Sequence, residues 1–349
     1  MNTVVLIPGH KSLRYAGFVA GRETCTGTIR GFRWQGPRAA LDEVRTIVQA
    51  VGLCDDATSV VVHGLFGGEE FPSQAALDHD AFVRLERIAR QSPLHVAGLI
   101  DTAHAVQEVF AGTPARLAFE TSFFVDLPLR ERTYAVSPDL SHKLALRRWG
   151  YHGLYHEAAA LEAGRSSRKR GCEQPPRILS ICLDAQPEIA AVLGHRAITV
   201  TSGATPLEGL PGETNSGEID PAVALALAGE AGLGPEGANA LLVGESGLSG
   251  LVGRRVRLDD VLTSARSECV RAREVLLYRM LLASGTAAAA LGGVDAVVFS
   301  GRYVSCSAVV AQQVLPQLDR AGAMGPHAAE WTIFAKPLEA ILADTATVH

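Results

Sequence analysis

Paired cysteines are missing from this chain. Cys25, Cys54, Cys172, Cys182, Cys269 and Cys306 are scattered with no C-x-x-C pair. That spacing excludes a disulfide framework and leaves reduced, mostly buried thiols. No signal peptide is read ahead of them, so a cytoplasmic location is expected. An excess of basic charge is missing too: 32 Lys and Arg stand against 37 Asp and Glu, for a formal net charge of −5. No basic face of the kind that holds a polyanion by counterion release follows from that balance, which excludes nucleic acid as a partner. Long apolar runs are also lacking. The uncharged stretch from Met280 to Val294 holds three glycines and falls short of the ~18 residues a membrane helix needs, so no membrane partner is expected. What the chain does have is 349 residues with 47% hydrophobic content, enough for two packed cores and too apolar for disorder.

Short Val- and Ile-rich runs alternate with stretches of helical period, the pattern of an α/β protein with buried strands. The strands fall at Thr3–Ile7, Ser59–His63, His95–Ile100, Leu117–Phe119, Ile178–Leu183, Ile189–Leu193, Ala197–Thr201 and Ala296–Phe299. Helical spacing covers Ala39–Val51, Gln74–Arg90, Leu154–Ala163, Pro221–Ala231 and one unbroken stretch from Leu258 to about Leu291. Between Gly164 and Arg177 five Arg or Lys residues, two prolines and two serines lack any apolar period, which predicts an exposed loop and a domain boundary there. That charge run reads either as an anion-binding loop or as a solvated connection.

Near the start, a strand enters a glycine turn and returns: Leu6, Ile7, Pro8, Gly9, His10, Lys11, Ser12, Leu13, Arg14, Tyr15. A phosphate fits over such a turn, because Gly9 allows close backbone approach, Ser12 offers a hydroxyl, and Lys11 and Arg14 supply charge. The same residues also read as an ordinary β-turn with exposed cations. This stretch resembles the acetate kinase family's opening N-A-G-S-S-S-L-K-Y, and further blocks follow in the family's order. Val61-Val62-His63-Gly64 is similar to R-V-V-H-G-G, and Ser92-Pro93-Leu94-His95 to A-P-L-H. Phe119-Glu120-Thr121-Ser122-Phe123 is similar to F-D-T-A-F, and the run from Arg148 to His156 to R-Y-G-F-H-G-T-S-H. The most specific block runs from Thr205 to Leu210 and from Thr214 to Pro221; it resembles T-P-L-E-G-L-M-M-G-T-R-S-G-D-I-D-P nearly throughout.

The resemblance implies an α/β fold of two duplicated actin-like, RNase H-like domains with an interdomain cleft (the ASKHA fold), commonly as a homodimer. One domain is then residues 1–150 with a C-terminal helix at about 334–346, and the other residues 151–333. It further places Glu120 and His152 in catalytic positions. The ligand-binding positions become Gly9, His10, Lys11, Ser12, Arg14, His63, His95, Thr214, Asn215 and Arg302. No metal ligand is assigned; ATP and Mg²⁺ are the cofactors only on a kinase reading.

Phosphoryl transfer depends on cations and donors that stabilise charge on the transferring group, and here the pattern departs. Val60 and Asn215 stand where the family has arginines, and Ile7 stands for the asparagine of the opening turn. Glu120 stands for the family aspartate, and the family's C-terminal glutamate segment is matched only loosely by Pro337-Leu338-Glu339. The glycine loop H-L-G-N-G-A-S becomes Cys182-Leu183-Asp184-Ala185-Gln186-Pro187-Glu188, which loses both glycines, gains a proline without an N–H and adds two carboxylates where an anion would sit. Ser300-Gly301-Arg302-Tyr303 keeps one glycine of the adenosine loop, and Tyr303 there either stacks on a base or fills the space. Two functions remain. One is a binding or complex-forming relative without acetate kinase activity that keeps a small-ligand cleft; the other is an active phosphotransferase that makes an acyl phosphate with a remodelled clamp.

Overall fold

The computed structural model describes residues 1–31, 37–51, 57–91, 97–171, 173–325 and 331–346. His95, Cys54 and Cys172 lie outside the described residues. The chain divides into two compact units, Met1–Val125 with Lys336–His349, and Asp126–Ala335. The division therefore falls before the stretch around residue 150 at which the motifs placed it.

The first unit opens with a meander of β1 (Asn2–Gly9), β2 (Ser12–Val19) and β3 (Arg22–Arg30). After α1 (Pro37–Val51) come β4 (Ser59–Gly64), the short β5 (Ala75–Ala76), α2 (His79–Gln91), α3 (Ala97–Val109) and β6 (Ala115–Phe119). The sheet order is β3-β2-β1-β4-β6-β5, antiparallel through β1–β3 and parallel from β1 to β4 to β6. Strand β4 is buried at all six positions, as a central parallel strand covered on both faces must be. Leu6, Leu13, Val60, Val62 and Leu117 meet Ile47, Leu85 and Val106 of the helices in one core, each side chain worth about 1.5–3 kcal/mol of burial.

The second unit begins with α4 (Leu129–Arg132), α5 (Pro138–Lys143) and α6 (Gly153–Lys169), then repeats a meander of β7 (Arg177–Cys182), β8 (Glu188–Leu193) and β9 (Arg196–Val200). Helices α7 (Pro221–Ala228), α8 (Gly234–Gly244), α9 (Gly247–Val252), α10 (Leu258–Thr263) and α11 (Ser267–Leu291) precede β10 (Ala296–Ser300), α12 (Ser307–Arg320) and β11 (Trp331–Ile333). The order is β9-β8-β7-β10-β11, again antiparallel through the meander and parallel beyond it. Strand for strand this repeats β3-β2-β1-β4-β6, so the chain is a duplicated two-domain ASKHA fold. The final helix α13 (Leu338–Thr345) packs on β1, β2 and β4 of the first unit.

Four expectations need correction. The helix predicted from Gln74 starts at His79, after the short strand Ala75–Ala76 that pairs with β6. Residues Ala97–Ile100, read as strand, begin α3, because an apolar run of that length does not distinguish a strand from a buried helix turn. The predicted loop at Gly164–Arg177 is helical through Lys169, with Ala163, Gly164 and Ser167 on the buried side; small residues carry no apolar period, yet let a helix lie close to a sheet. The single helix predicted from Leu258 is two, broken by extended backbone at Ser264 and Arg266. Arg273 holds the break by donating to the carbonyls of Leu262 and Ser264. Helix α11 is the one described helix long and apolar enough to cross a membrane, and its Leu276, Met280 and Ala287 belong to the core of the second unit.

Candidate functional site

In the first unit, the predicted residues sit at the ends of parallel strands, where open α/β sheets place ligands. His63 is the penultimate residue of β4 and Glu120 follows β6, which pairs with β4 in register His63 to Ala118. Their side chains are buried and meet, His63 Nε2 to Glu120 Oε1, at 2.9 Å. Gly64 is required beside them because a Cβ there would overlap the Phe119 ring. Thr121 completes the corner by accepting the amides of Gly67 at 2.9 Å and Gly68 at 3.2 Å. Two blocks distant in sequence thus form one rigid corner, and its carboxylate already faces an imidazole.

The turn between β1 and β2 pairs Gly9 with Ser12, so it consists of His10 and Lys11, both exposed. Arg14 extends from β2 to Glu339 of α13, 3.0 Å away. A cation that sequence offered to a phosphate is therefore held by the protein's own carboxylate.

In the second unit the β7–β8 loop is bonded to the Thr205–Pro221 block. This loop, residues 183–187, is the counterpart of the first unit's turn. Asn215 Nδ2 donates to Gln186 Oε1 at 2.7 Å while Asn215 Oδ1 accepts from Gly212 N at 2.8 Å. Gln186 Nε2 in turn donates to the Pro206 carbonyl, and Glu213 N donates to Ala185 O at 2.6 Å. The residue in the arginine's place and a residue of the altered glycine loop are thus bonded to each other. Thr214 uses its hydroxyl on the Val243 carbonyl of α8, at 3.0 Å. Asp184 is paired with Arg302 at 3.3 Å. Tyr303 is 4% exposed and packed in the core, with its hydroxyl donated to Glu213 at 2.6 Å. It fills the space instead of presenting a face for stacking. Burial, then the hydrogen bond and charge of Glu213, push its phenol up to about 12.

Sequence reasoning counted Glu188 as a charge in the loop and gave His156 no role. Glu188 is instead fully buried on β8, opposite Cys182 of β7. Its carboxylate accepts the amides of Tyr151 and His152, each at 2.9 Å at its shorter bond, where α6 begins. His152 Nδ1 lies 3.7 Å and His156 Nε2 3.3 Å from its Oε1. Burial would raise this carboxyl, but hydrogen bonding and charge from the two histidines outweigh it and hold the group below the usual carboxylate range. His156 Nδ1 also lies 2.7 Å from Ser180 Oγ. Ser180, His156 and Glu188 form a serine–histidine–carboxylate chain, but all three show 0% exposure, so no substrate reaches the hydroxyl and its role is packing. The signal was available: a carboxylate at a strand start, with histidines four apart, one just before α6 and one in its first turn.

Nearby, Glu208 of the most specific block is clamped by the Tyr134 hydroxyl and by Arg148 at 2.6 Å. Burial and then Glu208 raise the Tyr134 phenol above its ordinary range. A cavity of about 720 Å³ opens in the second unit between the β8–β9 edge, α9 and α11, with Thr199, Thr201, Gly247, Val275, Arg279 and Leu282 among its walls. Of the predicted site residues, none lines it.

Residues 38–337 match the profile described as the Acetokinase family. The chain belongs to that family. It is 34% identical over 266 residues to the acetate kinase of Coprothermobacter proteolyticus, covering 75% of this chain and 65% of that protein. The chain thus spans less than two thirds of the length of this relative. The acetate kinase of Porphyromonas gingivalis has the same fold, with a TM-score of 0.83 at 23% identity over 99% of this chain and 98% of the other. A propionate kinase from Francisella tularensis also gives 0.83, at 19% identity over 98% of each.

Family membership raises the question of ATP and Mg²⁺, and several side chains near the matched motifs are bonded within the chain. The β7–β8 loop is bonded to Asn215 through the side chain of Gln186. The carboxylates that could take part in holding a metal are engaged: Glu120 by His63, Glu339 by Arg14, Asp184 by Arg302. Among the described residues no group of three or more side chains has metal-ligating geometry.

Proposed function

We propose that this acetokinase-family chain does not phosphorylate acetate with ATP and serves as a small-ligand-binding or complex-forming subunit. The observation that carries this reading is the side-chain amide pair Gln186–Asn215, 2.7 Å apart. The pair commits both side-chain amides to each other, whereas a triphosphate calls for N–H donors and a guanidinium. Loss of an arginine from a phosphoryl transition state costs ~10³ to 10⁵ in rate, and the motif resemblance puts Val60 and Asn215 where the family has arginines. Calorimetry with ATP and Mg²⁺, paired with hydroxamate detection of acyl phosphate, is expected to show no heat at micromolar nucleotide and no product. Micromolar affinity with acetyl phosphate formed overturns the reading.

The alternative, an active phosphotransferase with a remodelled clamp, draws on Arg302, whose side chain is 49% exposed beside the altered loop. A positive ATP result is the outcome that favours it, and an Arg302→Ala variant then loses the activity.

A homodimer belongs to the same proposal. Its support is an exposed apolar stripe on α11, Val275, Tyr278 and Leu282, at the spacing of one helix face. Light scattering is expected to give twice the chain mass of 36.8 kDa; a single chain mass at tens of micromolar removes the dimer. A cytoplasmic location goes with this reading, on the reduced state expected for the scattered cysteines.

A further inference from the structure

We infer that Glu188 is a built-in anion seated in an oxyanion-binding position, and that removing it exposes a site for a small free oxyanion of the carboxylate or phosphate class. The position has the parts such a site requires. Two consecutive amides at the start of a 17-residue helix, those of Tyr151 and His152, point at one carboxylate, and the positive end of a helix dipole lies behind them. Two imidazoles converge on the same oxygen from the side, His152 Nδ1 at 3.7 Å and His156 Nε2 at 3.3 Å.

What marks this as an anion site and not merely a capped helix is the cost of the occupant. A carboxylate at 0% exposure is retained only where donors and opposing charge compensate for lost water. The compensation here is strong enough to keep the group ionised against burial. Ordinary helix caps come from the residue just before the helix. This one comes from a strand 36 residues further along the chain, which brings a negative charge from β8 to the start of α6. With the carboxylate in place, the amides and histidines have no capacity for an external phosphate. The inference rests on hydrogen bonds within the second unit and not on the absence of kinase activity. A chain that binds ATP would overturn the function proposed above and leave this measurement to be decided separately.

The test compares the wild-type chain with E188A and E188Q by thermal melting in chloride, formate and phosphate at matched ionic strength. Alanine empties the seat; glutamine keeps it filled without charge. Formate supplies a carboxylate of the missing size, and phosphate tests whether the larger oxyanion fits. E188A is expected to melt about 2–4 °C higher in formate or phosphate than in chloride, while wild type and E188Q do not respond. Should E188A fail to fold in chloride, recovery of a cooperative melt in either oxyanion supports the site. Failure of E188A to respond to both oxyanions, folded or not, overturns it, as does an equal response from wild type or E188Q.

Discussion

Replacing Glu188 by alanine lowers the stability of the second unit by about 3–5 kcal/mol, the range for removing one partner from a buried charged pair. Three groups are stranded by the change. The amides of Tyr151 and His152 lose their acceptor, and His156, at 0% exposure, loses the carboxylate beside it. The penalty follows because buried donors are left without water to replace the lost acceptor. The effect depends on pH with a defined sign. A carboxyl whose pKa is lowered by folding stabilises the native state above its unfolded value and ceases to do so as pH falls through the folded value. The gap between wild type and E188A is therefore complete at neutral pH and narrows once pH drops below about 4.5, the ordinary value for this group. Urea melts at pH 7 and pH 3.5 measure both halves. A neutral-pH loss below about 1 kcal/mol, the ceiling for an exposed pair, would show that the carboxylate is not held as described.

The second large effect is predicted at Gly247, the first residue of α9. Its φ is +59°, and a Cβ would overlap the carbonyl oxygens of Gly212 and Asn215. Those carbonyls lie in a segment that docks on the start of α9: Leu248 N donates to Gly212 O and Ser249 N to Glu213 O, each at 2.9 Å. Gly247→Ala places a methyl group where two backbone segments already touch. A non-glycine residue in left-handed backbone costs about 1–3 kcal/mol by itself, and the overlap adds to that because neither neighbour is a side-chain end that can swing away. A loss of at least 3 kcal/mol is expected in a urea melt. In addition, the Asn215–Gln186 bond should loosen, read as faster amide exchange at residues 183–187. Exchange there that stays at the wild-type rate would separate the two loops and weaken the idea of a latched connection.

Much of the fold was legible because β1, β4, β6, β7, β8 and β10 are buried runs of Val, Ile and Leu, and the motif order fixed the duplication. Strand β3 was not. Arg22–Arg30 is exposed at alternate positions and holds one isoleucine, so it carries no hydrophobic signal; its place at the sheet edge comes from pairing with β2. Helix α12 escaped for a different reason, since Pro316 within it reads as a breaker. In the site, Val60, Asn215 and residues 184–188 were singled out in the sequence by the motif resemblance. Their mutual relation was not. That Gln186 bonds to Asn215, or that Glu188 turns inward to α6 while Asp184 turns to Arg302, depends on which side of a strand each residue faces and how far its chain reaches. Only the register of β7 with β8 decides that.

Helix α13 packs against β1, β2 and β4 and buries Leu338, Ile341 and Leu342. The first unit is thus made of two stretches of chain with all of the second unit inserted between them. On the ribosome, where domains fold as they emerge at ≈ 5–20 residues per second, residues 1–125 leave the exit tunnel long before Lys336. The second unit is contiguous and can finish folding while the first still lacks a wall. Until Leu338 arrives, the face of β1 and β4 that it covers is open to water and to other chains. The N-terminal sheet therefore stays open while the whole of the second unit is made, and through that interval the nascent chain is exposed there to aggregation or to a chaperone.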